Sequence, residues 1–276
     1  TSNTVGENNN AFGVSTLYSN TTGASNNAFG NNALNQNVSG SSNVAVGGDA
    51  LYTATSTSNL TAVGYQALYN QADTNGGNVQ NTAVGYQTLY NNTYGYWNTA
   101  LGAGTLTNNT TGSLNTALGR AALGSSLTGG YNIAVGDGAL YANTDGYYNT
   151  AVGYSALQAA VNGYNNVAIG REAGVGNYVS YTSKGGTYVG SLSGYNLQTG
   201  SDYNTLLGYQ AGRNITTGYG NILLGSSVTV NNLTTGSGNI GLGNEIFFPS
   251  ATTNNQLNIG GLVYGTLPAT STAFKL

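Results

Sequence analysis

Carboxylates are the side chains of this sequence best suited to acid–base chemistry, because the chain contains no His and no Cys. A glycosidase needs two carboxyl groups that face each other across a groove. The pair nearest in sequence is Asp137 and Asp145, and the other carboxylates mostly lack a near partner. The sequence therefore predicts a protein that is not an enzyme and has no catalytic residue. The eight carboxylates are Glu7, Asp49, Asp73, Asp137, Asp145, Glu172, Asp202 and Glu245.

The same residue types argue against metal ions and cofactors. A calcium-binding solenoid repeats Asp at a fixed position after its glycines, and this chain has no such column. Without Cys, disulfides and thiolate metal sites are excluded. The Gly-rich phrases lack the Lys and the strand-to-helix context of a phosphate-binding loop. We therefore expect no metal site and no cofactor.

The charge pattern argues against nucleic acids and membranes as partners. The net charge is −3, and the five basic residues are scattered along the chain, so they could not neutralise a run of phosphates. No apolar run reaches the eighteen residues that a transmembrane helix needs. We expect neither nucleic-acid binding nor membrane insertion.

Tyrosine is the residue type in surplus, with 22 copies. It recurs just after a repeated glycine, as at Tyr65 and Tyr86. The surplus has two interpretations. A stacked ladder of rings would stiffen the molecule. Exposed rings beside Asn and Thr would instead suit the binding of surface glycans. The candidate ligand-binding residues lie in an irregular stretch of sequence and are Arg171, Tyr178, Tyr181 and Lys184.

The elements that would position these side chains follow from a repeat. Fifteen Asn-Thr-Ala-Val-Gly-like phrases end in glycine, and ten of the fourteen gaps between these glycines are 17 residues long. A Gly- and Asn-rich period of this length is too short for a pair of helices and is typical of one coil of a β-solenoid. A residue position that recurs in successive coils is called a column here, and the most regular columns are expected to be structural. The structural residues are Gly85, Gly102, Gly119, Gly136, Gly153, Asn98, Asn115, Asn149 and Ala117.

Within a phrase, residues alternate with period two, so the Thr and Val columns share one face of a strand and Asn, Ala and Gly share the other. We expect a second short strand at Ala67, Leu68 and Tyr69, with the Thr-Thr-Gly segment turning the chain back. The predicted fold is all-β: a parallel β-solenoid of about fifteen 17-residue coils, with essentially no helix.

Each coil offers only about two large apolar side chains, which is little against the entropy lost on folding. Thin coils can gain burial by side-by-side association, and the small Ala and Gly on one strand face would let neighbouring backbones approach. A parallel homotrimer is the expected assembly, with a monomer or a self-assembling filament subunit as alternatives.

Breaks in the columns divide the chain. Regular coils cover 1–170, an inserted loop covers 171–186, divergent coils cover 187–243, and a cap or transition segment covers 244–276. The loop and the divergent coils interrupt an otherwise uniform repeat. They are therefore where recognition would be expected.

The phrases resemble repeats in known fibres. The segment Asn81–Thr93 (NTAVGYQTLYNNT) looks like repeats of bacterial surface fibres and phage tail fibres, and Asn166–Gly170 (NVAIG) is similar to the head repeats of trimeric autotransporter adhesins. Those heads form a left-handed parallel β-roll with a slightly shorter repeat. The segment Asn255–Gly265 resembles one that precedes a self-cleaving intramolecular chaperone domain in fibre proteins of phages and predatory bacteria.

The resemblance implies an extracellular, trimeric, structural or adhesive fibre segment on a cell surface or a virion. Two classes of function remain open from the sequence. An adhesive fibre would carry an irregular aromatic patch that binds surface polysaccharide or a glycoconjugate. A purely structural spacer would be uniform and would have no ligand of its own.

Overall fold

The computed structural model describes residues 3–72, 79–228 and 233–267 and divides into two compact units, Thr1–Tyr148 and Asn149–Leu276. Among these residues there is no helix. Each unit is a parallel β-solenoid, and together they contain about 14 turns at a spacing of about 17 residues. The prediction of an all-β parallel solenoid is confirmed. Asp73 and the end of the predicted cap, 268–276, lie outside the described residues.

Each coil of the first unit, Thr1–Tyr148, contributes one three-residue strand. Consecutive strands pair in parallel and in register, so that Ala83 lies beside Ala100 and Ala100 beside Ala117. Like residues therefore stack on like residues. The strands are β1 (Asn10–Phe12), β2 (Asn27–Phe29), β3 (Val44–Val46), β4 (Thr61–Val63), β5 (Thr82–Val84), β6 (Thr99–Leu101), β7 (Thr116–Leu118) and β8 (Ile133–Val135).

The second unit, Asn149–Leu276, repeats this arrangement and ends in a hairpin. Its strand β15 pairs antiparallel with β16, and Gly260 between them has φ +58° where the earlier phrase glycines are near +130°. The fifteenth phrase thus leads into a hairpin. The strands are β9 (Thr150–Val152), β10 (Val167–Ile169), β11 (Thr187–Val189), β12 (Thr205–Leu207), β13 (Ile222–Leu224), β14 (Ile240–Leu242), β15 (Gln256–Ile259) and β16 (Val263–Thr266).

The strand alternation places Ala inside the coil and its neighbours outside. Ala100 is fully buried, whereas Thr99 and Leu101 on either side are exposed. Ala117 is likewise fully buried. The small side chains therefore fill the narrow interior of their own coil and offer no surface to a neighbouring chain. The expectation that the Ala side chains would meet another copy is wrong, because they are buried within their own coil, and the outward face carries Thr and the large apolar residues.

The expected second strand at Ala67, Leu68 and Tyr69 is also wrong. These residues form consecutive tight turns, in which Ala67 N–H donates to Gly64 O at 3.3 Å and Gln71 N–H to Leu68 O at 3.4 Å. Gln66 and Leu68 have φ of 55° and 51°, so the backbone reverses at alternate residues and cannot extend. Alternation of apolar residues alone could not reveal this, because a strand and such a turn both point every second side chain inward.

The turns bond to the next coil as the strands do. Leu68 N–H donates to Thr88 O at 3.0 Å, and Leu106 N–H to Ala122 O at 3.1 Å. Leu106 is fully buried with φ 50°. A left-handed backbone is markedly unfavourable for β-branched residues. This explains why the column that needs a large apolar side chain uses Leu and not Val or Ile.

Replacing Leu106 by Ile should test this constraint. The two side chains have equal volume, so packing alone predicts a cost below about 1.5 kcal/mol. The left-handed backbone should add roughly 1–3 kcal/mol. Leu60→Ile is the matched control, because Leu60 is fully buried without a positive φ. We expect a clearly larger loss of stability in denaturant unfolding for Leu106→Ile, and equal losses would contradict the explanation.

The phrase glycines are required by close approach between coils. A Cβ on Gly85 would lie 2.6 Å from the carbonyl oxygen of Gly102, and a Cβ on Gly102 would lie 2.6 Å from that of Gly119. These contacts are with backbone atoms of the next coil, so they could not be relieved by moving a side chain. Their φ values also lie far from those of L residues. Values for the five structural glycines are 137° (Gly85), 134° (Gly102), 125° (Gly119), 136° (Gly136) and 135° (Gly153).

A buried asparagine column joins successive coils at the start of each strand. Asn115 N–H donates to Asn98 Oδ1 at 3.0 Å, and Asn115 Nδ2 donates to Gly129 O at 2.9 Å. In the second unit Asn149 Oδ1 accepts from Asn166 N–H at 3.1 Å. Each amide thus satisfies backbone groups at a corner where no strand partner is present.

A second asparagine column lies after the turns of the first unit. Asn92 Nδ2 donates to Gln71 Oε1 at 2.8 Å, and Asn109 Nδ2 donates to Asn92 Oδ1 at 2.6 Å. The column is interrupted at Ser126, whose Oγ is buried without a hydrogen-bond partner among the described residues, as is Asn109 Oδ1. The Ser side chain is too short to reach the coil before it.

Ser126→Asn should therefore stabilise the protein. The new amide would donate to Asn109 Oδ1 and remove an unsatisfied hydroxyl, for a gain of about 1 kcal/mol. The space is suitable, because Asn occupies the same position in the coils on both sides, at Asn109 and Asn143. Ser39→Asn, at an exposed position, is the control. An unchanged or lower unfolding midpoint for Ser126→Asn would contradict the prediction.

Candidate ligand-binding surfaces

The inserted segment of the second unit brings two of the predicted ligand-binding residues together around a carboxylate. Arg171 Nη1 lies 2.5 Å from Glu172 Oε2, and Tyr178 Oη donates to Glu172 Oε1 at 2.5 Å. Burial and the bond to Glu172 raise the pKa of Tyr178 to about 12. The phenol therefore stays a hydrogen-bond donor up to strongly alkaline pH. The Tyr178 side chain is nevertheless accessible, because the residue is 48% exposed.

Tyr181 lies in the core. It is 2% exposed, its hydroxyl donates to Gly174 O, and burial raises its pKa well above the usual value. It also forms a parallel bridge to Ala160. The second half of the predicted loop therefore stacks on the preceding coil. In this conformation the Tyr181 ring offers no surface to a ligand, and the binding prediction rests on Tyr178 and its neighbours.

Lys184 lies at another position in the second unit. Its Nζ is 5.7 Å from the centroid of the Tyr164 ring, and its backbone N–H donates to Asp202 Oδ1 at 3.0 Å. A cation over an aromatic face is a stabilising contact. The bond to Tyr164 raises the pKa of the Lys184 ammonium, so this cation persists throughout the physiological range.

The sequence-adjacent carboxylates of the first unit are engaged with neighbours in adjacent coils. Asp137 receives two hydrogen bonds from the Arg120 guanidinium, at 2.9 and 3.1 Å. Asp145 Oδ1 accepts from Thr128 Oγ1 at 2.6 Å. These contacts do not resemble the open pair of a glycosidase, in which one carboxyl acts as an acid and the other as a base or nucleophile.

Part of the tyrosine surplus forms stacked ladders in the first unit. The Tyr52 and Tyr69 rings lie 5.2 Å apart and nearly parallel, and Tyr69 and Tyr90 lie 5.1 Å apart. Tyr65 and Tyr86 stack at 5.8 Å. These rings use one another as partners, so a regular column of tyrosines contributes to the stability of the stack.

A separate aromatic groove, which the sequence reasoning did not single out, lies on the first unit. It has a volume of about 210 Å³. The chain's single Trp stands beside it, with the rings of Trp97 and Tyr96 in an edge-to-face contact at 5.2 Å. The sequence does contain a sign of this groove. One position of the repeat carries Tyr in two coils and small residues in the two coils between them. The lining residues are Tyr96, Thr111, Ser113, Leu114, Thr128, Gly130, Tyr131 and Tyr147.

The described residues contain no group of three or more His, Cys, Asp or Glu side chains that could hold a metal ion. The same part of the chain has no helix that is long and apolar enough to cross a membrane. Comparison with protein-family models, with curated proteins and with solved structures finds no match for this chain. The geometry described above is therefore the basis for a functional proposal.

Proposed function

We propose that this chain is a non-catalytic segment of an extracellular fibre, on a cell surface or a virion, that assembles as a homotrimer and recognises surface carbohydrate. The observation that carries the structural part is the in-register stacking of nearly identical coils, which suits a load-bearing or spacing element. The resemblance of the phrases to adhesin heads and tail-fibre shafts supports the same assignment.

The outward face of the strands supports association. In the first unit, Phe29, Val46 and Leu101 stand in one column and are 45%, 38% and 48% exposed. Ile169 and Leu207 continue the pattern in the second unit. A regular, exposed column of apolar side chains is costly to leave in water and is typical of a protein interface. Burying it between copies would add the apolar contacts that each narrow coil lacks.

Leu101→Glu tests the trimer and its interface. A charge on this face should prevent association, because it would be buried without a partner. Leu127→Glu is the control, since Leu127 has a similar exposure of 41% but lies in a turn. In light scattering at micromolar concentration, we expect three chain masses for the unaltered protein and for Leu127→Glu, and one for Leu101→Glu.

A monomeric mass for the folded, unaltered protein would refute the trimer. A trimer that persists in Leu101→Glu would show that another surface forms the interface.

The structural spacer is the second candidate, and the stacked Tyr52, Tyr69 and Tyr90 rings favour it, because a ring engaged in a ladder needs no ligand to explain it. A glycan array with the intact protein separates the two. Binding supports recognition, and a silent array supports the spacer.

If the array shows binding, Tyr178→Ala tests the inserted segment. Tyr65→Ala is matched to it, because both rings are 48% exposed. Loss of a stacking ring should weaken binding about tenfold, equivalent to about 1.4 kcal/mol. A site at the insertion predicts this loss only for Tyr178→Ala, and binding that is unchanged in that variant would contradict such a site.

A further inference from the structure

The aromatic groove of the first unit is built by one column of residues. Tyr96, Ser113, Gly130 and Tyr147 occupy the same position in four successive coils. Two large rings therefore flank two small residues, and we call this arrangement the Tyr96–Tyr147 notch. With coils stacked about 4.8 Å apart, the two tyrosine Cα atoms are separated by roughly 14 Å.

The ring at one end of the notch is held in place. Tyr147 Oη donates to Thr128 O at 3.0 Å, which leans the ring back across the coil before it. A Cβ on Gly130 would lie 3.2 Å from Tyr147 Cε1 and 2.9 Å from Ser113 O. The absence of a side chain at Gly130 is therefore what lets the ring take this position. A fixed ring loses little entropy when a ligand packs against it.

Further rings extend the surface beside the notch. Tyr131 stacks on Tyr148 with centroids 4.9 Å apart, and Trp97 stands edge-on to Tyr96. Tyr96, Trp97 and Tyr131 are 42%, 53% and 48% exposed. These three residues are thus partly exposed to solvent, and Trp97 is the most exposed of them.

The polar side chains that line the notch carry neutral hydroxyls, and one carboxylate, that of Asp145, lies next to the lining. Thr111, Ser113 and Thr128 line it, and Thr128 Oγ1 donates to Asp145 Oδ1 at 2.6 Å. Its lining residues include no Lys or Arg. An anionic ligand would therefore meet no cation in the lining and would lie near the Asp145 carboxylate, which disfavours phosphate, sulfate and uronic acids. The open, half-polar surface is equally unsuited to a lipid chain, which prefers an enclosed apolar cavity.

We infer that the Tyr96–Tyr147 notch is a binding site for an uncharged oligosaccharide. A pyranose ring presents C–H groups on its faces and hydroxyls around its edge, and this pattern matches aromatic rings flanked by Thr and Ser hydroxyls. Because the Tyr147 ring lies over Gly130, the open part of the notch is the space over Ser113, which accommodates about one such ring. The inference rests on the carbohydrate recognition proposed above and moves it from the inserted segment of the second unit to the first unit.

Trp97 provides a direct readout, because it is the chain's only Trp and contacts one wall of the notch. The protein would be titrated with cellotetraose, mannotetraose, chitotetraose and maltotetraose, and with a sulfated heparin tetrasaccharide as the charged comparison. We expect at least one neutral tetrasaccharide to change the Trp97 fluorescence saturably and the heparin fragment to leave it unchanged. No saturable change with any neutral probe, or tighter binding of the heparin fragment, would overturn the proposal.

Ser113→Tyr should close the notch without removing an aromatic side chain. Ser113 Oγ accepts from Tyr96 N–H at 3.1 Å, and this bond would be lost. Ser41→Tyr is the matched control in the same column, since Ser41 Oγ accepts from Ala24 N–H at 3.0 Å and stands outside the notch. We expect Ser113→Tyr to weaken binding at least about tenfold and Ser41→Tyr to leave it unchanged.

Tyr147→Ala provides a second, independent variant in case Ser113→Tyr folds poorly, and it should also weaken binding about tenfold. Equal effects of Ser113→Tyr and Ser41→Tyr would overturn the proposal, as would unchanged binding in Tyr147→Ala.

The outcomes separate this inference from the proposed function. Binding on the glycan array that persists in Ser113→Tyr and Tyr147→Ala would refute the notch and leave carbohydrate recognition standing. Silence of the whole array would refute both and leave the fibre segment as a spacer. The trimer is measured by mass and does not depend on either result.

Discussion

Hydrogen bonding from every coil to the next is the constraint on which both units depend. Strands and turns alike donate backbone N–H groups to the following or preceding coil, as Leu68 does to Thr88 and Gly102 to Val84. Such bonding is possible only if every coil follows the same backbone path. The path includes left-handed residues at fixed positions, so the columns select Gly where coils nearly touch and Leu where a buried side chain must adopt positive φ.

The narrowness of the coil decides where the chemistry can lie. The interior is packed mainly with Ala, Leu and Asn side chains, as at Ala100, Leu106 and Asn98, which are all fully buried. Many larger side chains, such as Tyr65 and Trp97, lie at the surface, although Tyr181 and Tyr188 are buried in the second unit. A binding site in such a fold is therefore made by breaking a column, as Ser113 and Gly130 do between Tyr96 and Tyr147. Uniform columns give ladders and flat faces instead.

Both units show how a repeat fold compensates for a small apolar core. The buried amides of Asn98 and Asn115 hydrogen-bond to backbone groups at the corners of the coils. Without these amides, the corner backbone groups would be buried and unpaired. The cost of this solution appears where the column is interrupted, because Asn109 Oδ1 and Ser126 Oγ are then both buried without partners among the described residues. The outward apolar column, including Leu101, is the remaining surface that association could bury.

The sequence alone determined the class of fold, because a 17-residue period with fixed Asn, Ala and Gly columns is compatible only with stacked coils, and strand alternation placed Thr and Val on one face. The tertiary structure decided which face of the strands is buried and which is exposed. Closure of the coil buries Ala117 and leaves Leu101 outside, whereas the alternation alone cannot say which face is inward. It also turned Ala67–Tyr69 into left-handed turns and buried Tyr181, since backbone φ and side-chain burial depend on the coils above and below. The notch formed because stacking brings side chains from four successive coils, 17 residues apart in sequence, next to one another.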